Sequence, residues 1–242
     1  MRNVIFVPVG IPIGFHPSYD ANNHWRITKP TRNYTVVAYT YNEFQPEPDT
    51  YDVLVKDKGY KWELAKHFLE TFDYTEYDYI GFWDDDLITD IQSINRAIEI
   101  ATKNDIKLFQ LSTIAGSESS HRILHQDLSK SYSITNFNEG MGQFVHSSLI
   151  PTILQFFKHH KVESGWGFDL IMSSICKERC GVMHEVSMYH PAKPSYYDKS
   201  KAHREMEKIL NEVYPNFMRD QYKEDVGPYR EPQTEYEFTL KV

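Results

Sequence analysis

The stretch Tyr77 to Trp83 (YDYIGFW) is almost continuously apolar and stops abruptly at three aspartates, Asp84, Asp85 and Asp86. A short apolar run of this kind is expected of a central strand covered on both faces, which commits the chain to a sheet with layers above and below it. Strand and helix patterns alternate around it. Arg2 to Gly10 reads as a buried first strand closed by a turn, Tyr34 to Tyr41 as a β-branched and aromatic second strand, and Tyr51 to Val55 as a short third. Lys61 to Phe72 sets Trp62, Leu64, Ala65, Phe68, Leu69 and Phe72 on one helical face. Asp90 to Thr102 does the same with Ile91, Ile94, Ala97, Ile98 and Ala101 behind a capping aspartate. Ile106 to Leu111 is a further strand. This alternation implies an α/β chain with a mostly parallel central sheet flanked by helices.

The second half is less regular. Tyr132 to Ile150 is expected to hold one or two strands, and Pro151 to His160 a helix that starts on proline. Phe168 to Cys180 reads as another helix, Val182 to Tyr189 as a strand, and Lys201 to Val213 as a late helix. Ile11 to Thr31 looks like a long loop and Glu43 to Asp52 a turn. From Arg219 the chain is polar and punctuated by proline. The expected organisation is one domain over residues 1–218 and an extended C-terminal arm over 219–242. The length of 242 residues suits that, with 40% hydrophobic and 14% aromatic residues to supply a core.

Cys176 and Cys180 are too few for a disulfide framework, and on one helical face they would pair poorly. The first apolar run, Val4 to Val9, is too short for a leader, and no run of roughly 18 apolar residues offers a membrane span. The expected location is cytoplasmic. A formal charge of −8 argues against broad, non-specific nucleic-acid binding, which relies on a basic surface.

Three features carry chemistry. The acidic triplet follows a central strand, and ligands of open α/β sheets bind at the carboxyl ends of strands. Adjacent carboxylates repel, so a half-buried cluster needs a cation; Mg²⁺ or Mn²⁺ suits oxygen donors shared with phosphates. A solvated acidic loop that caps the next helix fits the same residues. Gly165-Trp166-Gly167-Phe168-Asp169 opens a helix. Its glycines let backbone approach a ligand, Trp166 offers a flat face for a sugar ring, and Asp169 is placed to be a general base. Here too a cap and a core tryptophan are the plainer reading. His190 ends a late strand and is a candidate ligand for Mn²⁺ beside carboxylates, although a lone histidine is commonly structural.

The order of these blocks is the layout of a GT-A sugar transferase. Lys61-Trp62-x-Leu64, Tyr77-Asp78-Tyr79-Ile80 running into Trp83-Asp84-x-Asp86-Leu87, then Gly165-Trp166-Gly167-x-Asp169 and His190, resemble the glycosyltransferase-like family known as domain of unknown function 707. Gly165 to Asp169 is also similar to the Gly-Trp-Gly-x-Glu-Asp segment of the β-1,4-galactosyltransferases. The resemblance implies a GT-A fold and a metal-dependent transfer of sugar from a nucleotide diphosphate sugar, with a UDP-sugar first among donors.

It further implies that Asp86 binds the metal directly, that Asp84 meets the donor ribose or a metal-bound water, and that His190 completes the metal site. Asp169 would deprotonate the acceptor hydroxyl, with Trp166 and Gly167 on the acceptor side. This chain has Phe168 where the galactosyltransferases carry Glu, so one acceptor-orienting carboxylate is missing. Pro8, Gly10 and Tyr41 fall where the fold holds the nucleotide base. Asp85 belongs to the donor side, and Lys61 and Lys193 are candidates to meet the diphosphate, the latter within the basic stretch Lys193 to Arg204. One base and no second nucleophile predict inversion.

The acceptor stays open among a glycan, a lipid-linked and a small-molecule hydroxyl. A nucleic-acid acceptor with a hydroxylated base is a variant. A metal-dependent phosphohydrolase or nucleotidyltransferase, and a non-catalytic nucleotide-sugar-binding module, are the competing classes. His121 with His125 lacks a third ligand at metal-binding spacing, His159-His160 sits in a charged helix end where a cation is favoured anyway, and no phosphate-binding loop or nucleophile elbow is present.

Overall fold

The structure is a computed structural model of the chain, and it describes residues 2–119, 121–176, 179–192 and 198–213. In chain order the elements are β1 (Asn3–Val9), β2 (Thr35–Thr40), β3 (Val53–Lys56), α1 (Lys61–Thr71), β4 (Tyr79–Trp83), α2 (Ile91–Lys103) and β5 (Leu108–Thr113). They continue with β6 (Tyr132–Thr135), β7 (Gly142–His146), α3 (Ile150–His159), α4 (Phe168–Ile175), β8 (Cys180–Met188) and α5 (Lys199–Val213). The eight strands form one sheet in the order β3-β2-β1-β4-β7-β5-β8-β6. β1, β2, β3 and β4 run parallel, as do β5 and β8, while β7 is antiparallel to both β4 and β5 and β6 is antiparallel to β8. The sheet is therefore mostly parallel, as expected, with two reversed strands.

Alternation along β1 explains the layers. Val4 and Phe6 point into a core shared with α1, α3, α4 and α5, whereas Ile5, Val7 and Val9 point into a second core shared with α2. Both faces of the strand are sealed, so every residue from Asn3 to Val9 is buried. Helices of the first half form where their spacing foretold. Asp90 caps α2 through Oδ1, which accepts from the Ser93 amide at 2.7 Å.

One expectation needs correction, and two are met with added detail. The region Tyr132 to Ile150 holds two strands, as expected, and both run against the parallel order. β7 wedges antiparallel between β4 and β5, with Trp83 opposite Gly142 and Leu108 opposite Val145. The helix expected to reach Cys180 stops at Ile175, where the Cys176 amide closes it on Met172 and Ser173, and Cys180 already belongs to β8. Both cysteines are free thiols. Finally, the Ile11–Thr31 segment is the long loop expected, irregular apart from one short turn (Ala21–Asn23), and it buries His24, Trp25 and Arg26. Trp25 is fully buried 4.9 Å from the Trp83 ring, and its Nε1 donates to the Leu87 carbonyl at 2.7 Å. That segment therefore braces the acidic turn from below.

Among the described residues no helix is long and apolar enough to cross a membrane. The arm expected over residues 219–242, and Lys193, lie outside the described residues.

Candidate active site

Strand order reverses between β1 and β4, and a crevice forms at their carboxyl ends, the usual ligand position in an open α/β sheet. Gly10 leaves β1 there and the acidic triplet leaves β4. Each aspartate faces a different partner. Asp84 Oδ1 accepts from Lys61 Nζ at 2.6 Å, and the same ammonium donates to the Gly140 carbonyl at 2.7 Å. Asp85 Oδ2 accepts from the Gly10 amide at 2.7 Å and the Ile11 amide at 3.1 Å. Asp86 Oδ2 lies 3.6 Å from His190 Nε2, an ion-pair distance.

The charge on each carboxyl follows from these partners. Burial raises the Asp84 carboxyl against the pull of Lys61. Burial also raises Asp85, to about 6, opposed by the Gly10 amide and helped by Asp86 and Asp84. For His190, burial works against the charged form, but Asp86 outweighs it and the imidazole is pushed up to about 9.

His190 reaches Asp86 because the chain is tied at both sides. Ile88 and Tyr189 exchange backbone hydrogen bonds at 2.9 and 2.8 Å, fastening the acidic turn to the end of β8. His190 Nδ1 donates to the Glu118 carbonyl at 2.8 Å, which leaves Nε2 toward Asp86. That carbonyl acceptor was invisible to residue-type reasoning.

An oxygen donor and an imidazole nitrogen form a donor set that suits Mn²⁺ or Mg²⁺ sharing a diphosphate. Two cis donors at about 2.1 Å from an ion stand about 3 Å apart, so 3.6 Å needs only a small side-chain adjustment. The residues fit such an ion as a pair. Asp84, expected in the metal site through the donor ribose or a metal-bound water, has its Oδ1 engaged by Lys61. Among the described residues no three His, Cys, Asp or Glu side chains gather tightly enough to hold a metal alone.

The donor-side residues named from the sequence fall around Asp85. Tyr41 lies over Gly10 so closely that a Cβ there would come 2.1 Å from its hydroxyl oxygen. Only glycine leaves room. The Tyr41 hydroxyl is pushed up to about 12 by burial and then by Asp85, Asp84 and Asp86. Pro8 is buried within β1, at Tyr39 in the β2 register and beyond Phe6, where the pairing with β4 ends. Its missing N–H is tolerated there. Lys61, expected at the diphosphate, holds the acidic turn to the irregular segment before β7.

Across Lys61 stands the Gly-Trp-Gly turn. Gly165 and Gly167 have φ of +82° and +81°, a region where a Cβ is strained. Gly165 also rests on the Trp62 indole, where a Cβ would meet Nε1 at 2.2 Å, and Gly167 rests on Met206 and Leu210 of α5. The turn thereby starts α4 and sets Asp169 in its first turn. Asp169 Oδ1 accepts from the Leu170 amide at 2.9 Å. Burial raises its carboxyl to about 7, and Glu139 adds to that. Phe168 is buried in the core between Trp62, Phe156 and Phe157.

Glu139 was missed by the sequence reading. It sits on the irregular segment before β7, its amide donating to Gln110 Oε1 at 2.6 Å, beside Gly140, whose Cβ position lies 3.9 Å from the Asp169 Cβ. The only local signal was a Gly-Met-Gly turn after it.

The chain is similar to S. aureus TarS (residues 1–349) solved in complex with UDP-GlcNAc, with a TM-score of 0.57 at 11% identity over 93% of this chain and 70% of that one. It is also similar to the mannosyltransferase PcManGT from Pyrobaculum calidifontis in complex with GDP-Man and Mn²⁺, with a TM-score of 0.53 at 13% identity over 90% of this chain and 65% of that one. At such identities the likeness carries the fold, and the fold is of the GT-A type. No curated protein matches the sequence. Residues 23–153, more than half of the chain, match DUF707, Protein of unknown function, and the chain belongs to that family.

Proposed function

We propose that the chain is a glycosyltransferase that moves a sugar from a nucleotide diphosphate sugar to an acceptor hydroxyl, with inversion at the anomeric carbon. The observation that carries this reading is the meeting of Asp86 and His190 at the carboxyl end of the sheet, 3.6 Å apart though far separated in sequence. The two neighbours in the fold were solved with UDP-GlcNAc and with GDP-Man and Mn²⁺, which favours a UDP- or GDP-sugar here.

In this reading Asp86 and His190 hold a divalent cation that would neutralise the charge gathering on the departing diphosphate. Asp85 keeps the Gly10 and Ile11 backbone in place beside Tyr41, where the nucleoside would lie. Asp169 takes the proton of the incoming hydroxyl onto a carboxylate oxygen. With a pKa of about 7 it is ionised often enough at neutral pH and remains basic enough to matter, the combination general-base catalysis favours. Trp166 and Gly167 line the acceptor side. The hydroxyl belongs to a glycan, a lipid-linked sugar or a small molecule.

The test is a panel of nucleotide sugars, each assayed for transfer and for slow donor hydrolysis with Mn²⁺ and then with EDTA. Turnover of one donor is expected, lost on chelation and in His190→Ala. A panel with no turnover, or turnover indifferent to both changes, sinks the reading.

A further inference from the structure

An open cavity of about 420 Å³ lies between the Gly-Trp-Gly turn and the start of α5, lined by Trp166, Lys199, Ser200, His203 and Arg204. Its volume is within the range of small-molecule sites. Lys199, Ser200, His203 and Arg204 fall at i, i+1, i+4 and i+5 of α5, one face of the helix. The adjoining face buries Met206, Ile209, Leu210 and Val213 in the core, which fixes the orientation of the helix beside the cavity.

The charges around the cavity are mostly satisfied, and the exceptions are cations. Glu163 pairs with Lys161 and Lys201, Glu205 accepts from the Glu163 and Ser164 amides, and Glu207 pairs with His203 at 3.3 Å. Asp198 is occupied by the amides of Ser200 and Lys201 at 2.9 and 3.2 Å, so the helix end is already capped. Among the described residues Lys199 and Arg204 make no ion pair. Two exposed cations, one a compact point charge and one a planar fork, flank an aromatic wall. That combination matches a ring carrying a phosphate.

The donor-side residues Gly10, Tyr41 and Asp85 do not line this cavity. Lys201 lies over the Tyr60 ring at 5.6 Å, which sets the start of α5 against the residue preceding Lys61, while the donor-side groups Gly10, Tyr41 and Asp85 gather at the end of β1. Trp166 precedes Asp169 by less than one helical turn. We infer that this cavity is an acceptor subsite for a phosphate-bearing sugar or polyol, its ring on Trp166 and its phosphate between Lys199 and Arg204. The assignment rests on the transferase reading for the word acceptor, but the binding itself does not.

The fluorescence of the full chain provides the test, because Trp25, Trp62 and Trp83 are buried and Trp166 is half-buried in the cavity wall. Inorganic phosphate, glycerol 3-phosphate, glucose 6-phosphate, glucose, UDP and a single-stranded oligonucleotide are titrated in turn. A phosphorylated sugar or polyol is expected to change the emission saturably and more tightly than glucose, with the signal absent in Trp166→Phe. In Lys199→Ala/Arg204→Ala its Kd is expected to rise about tenfold or more, as for loss of charge-assisted hydrogen bonds, while UDP affinity stays unchanged.

Equal response to glucose, displacement by UDP, tighter capture of the oligonucleotide, or an unchanged Kd in the double variant would each overturn the assignment. A protein that binds the sugar phosphate but turns over no nucleotide sugar keeps the subsite and loses the transferase reading. Turnover without such binding loses the subsite alone.

Discussion

The turn after β4 and the turn before α4 both carry half-buried carboxylates that burial raises, and the fold gives them different partners. Every aspartate of the first turn has a compensating group: Lys61 for Asp84, two amides for Asp85, His190 for Asp86. Among the described residues Asp169 in the second turn has only local backbone amides; burial raises it most, and another carboxylate, Glu139, adds to that. The first arrangement sets each carboxyl against a fixed partner that opposes the upward push of burial. The second keeps one group near the balance point of its proton. Binding and proton transfer ask for those two different treatments.

The sharpest way to test this contrast is Asp169→Asn. Transfer is expected to fall by roughly 10² to 10⁴ with nucleotide affinity intact, as for loss of a general base. The same variant should be more stable at neutral and higher pH. The folded pKa of Asp169, about 7, lies above the ordinary 3.8, so the folded state favours the protonated form and loses stability as pH climbs between those values. A melting temperature higher by at least about 2 °C at pH 8, and unchanged at pH 4, is expected. Full transfer activity in the variant would remove the contrast altogether.

Lys61→Met probes the other side. It strips Asp84 of its cation and the Gly140 carbonyl of a donor. A charged hydrogen bond contributes about 1.5–3 kcal/mol, and because the Asp84 side chain is 34% exposed the loss is expected at about 1–2 kcal/mol by denaturant titration. Adding Asp84→Asn should recover most of it. If Lys61→Met melts like the parent, the acidic turn is not held by compensation.

The smallest effect is expected from Glu139→Gln. Removing the like charge eases ionisation of Asp169, so the midpoint of the pH–rate profile moves down from about 7 by less than about one unit. A midpoint that stays put or rises would show that Glu139 does not tune Asp169.

Much of the first half was legible from local pattern. β2 was expected over Tyr34–Tyr41 and spans Thr35–Thr40, and α1 was expected over Lys61–Phe72 and spans Lys61–Thr71. In such elements each residue's burial is set by the element's own period. β7 was different. Its residues read as a strand, but its direction and its place between β4 and β5 depend on partners distant in sequence. The acidic triplet, His190 and Asp169 could be named because their residue types and positions after strands or at a helix start are informative. Their partners could not.

Lys61 was named for a phosphate and instead faces Asp84, a choice that depends on α1 and β4 packing side by side. Glu139 lies in Asn138-Glu139-Gly140, which has no period to betray it. It is placed by buried amides: Asn138 donating to the Gly181 carbonyl, Gln143 to the Asn138 carbonyl, and Gln110 Oε1 accepting from the Glu139 N–H.

The wedge at β7 has a consequence for how the molecule is made. A nascent chain completes β1 through β4 long before Gly142–His146 exist, so one flank of β4 stays open while synthesis continues. β5 has no place beside its neighbours in the meantime, because both of them, β7 and β8, are translated after it. The sheet is thus finished from its interior, late, by strands that must slip between others already present. Fragments ending before residue 142 would carry that open apolar flank as their final state, a surface prone to join other copies edge to edge.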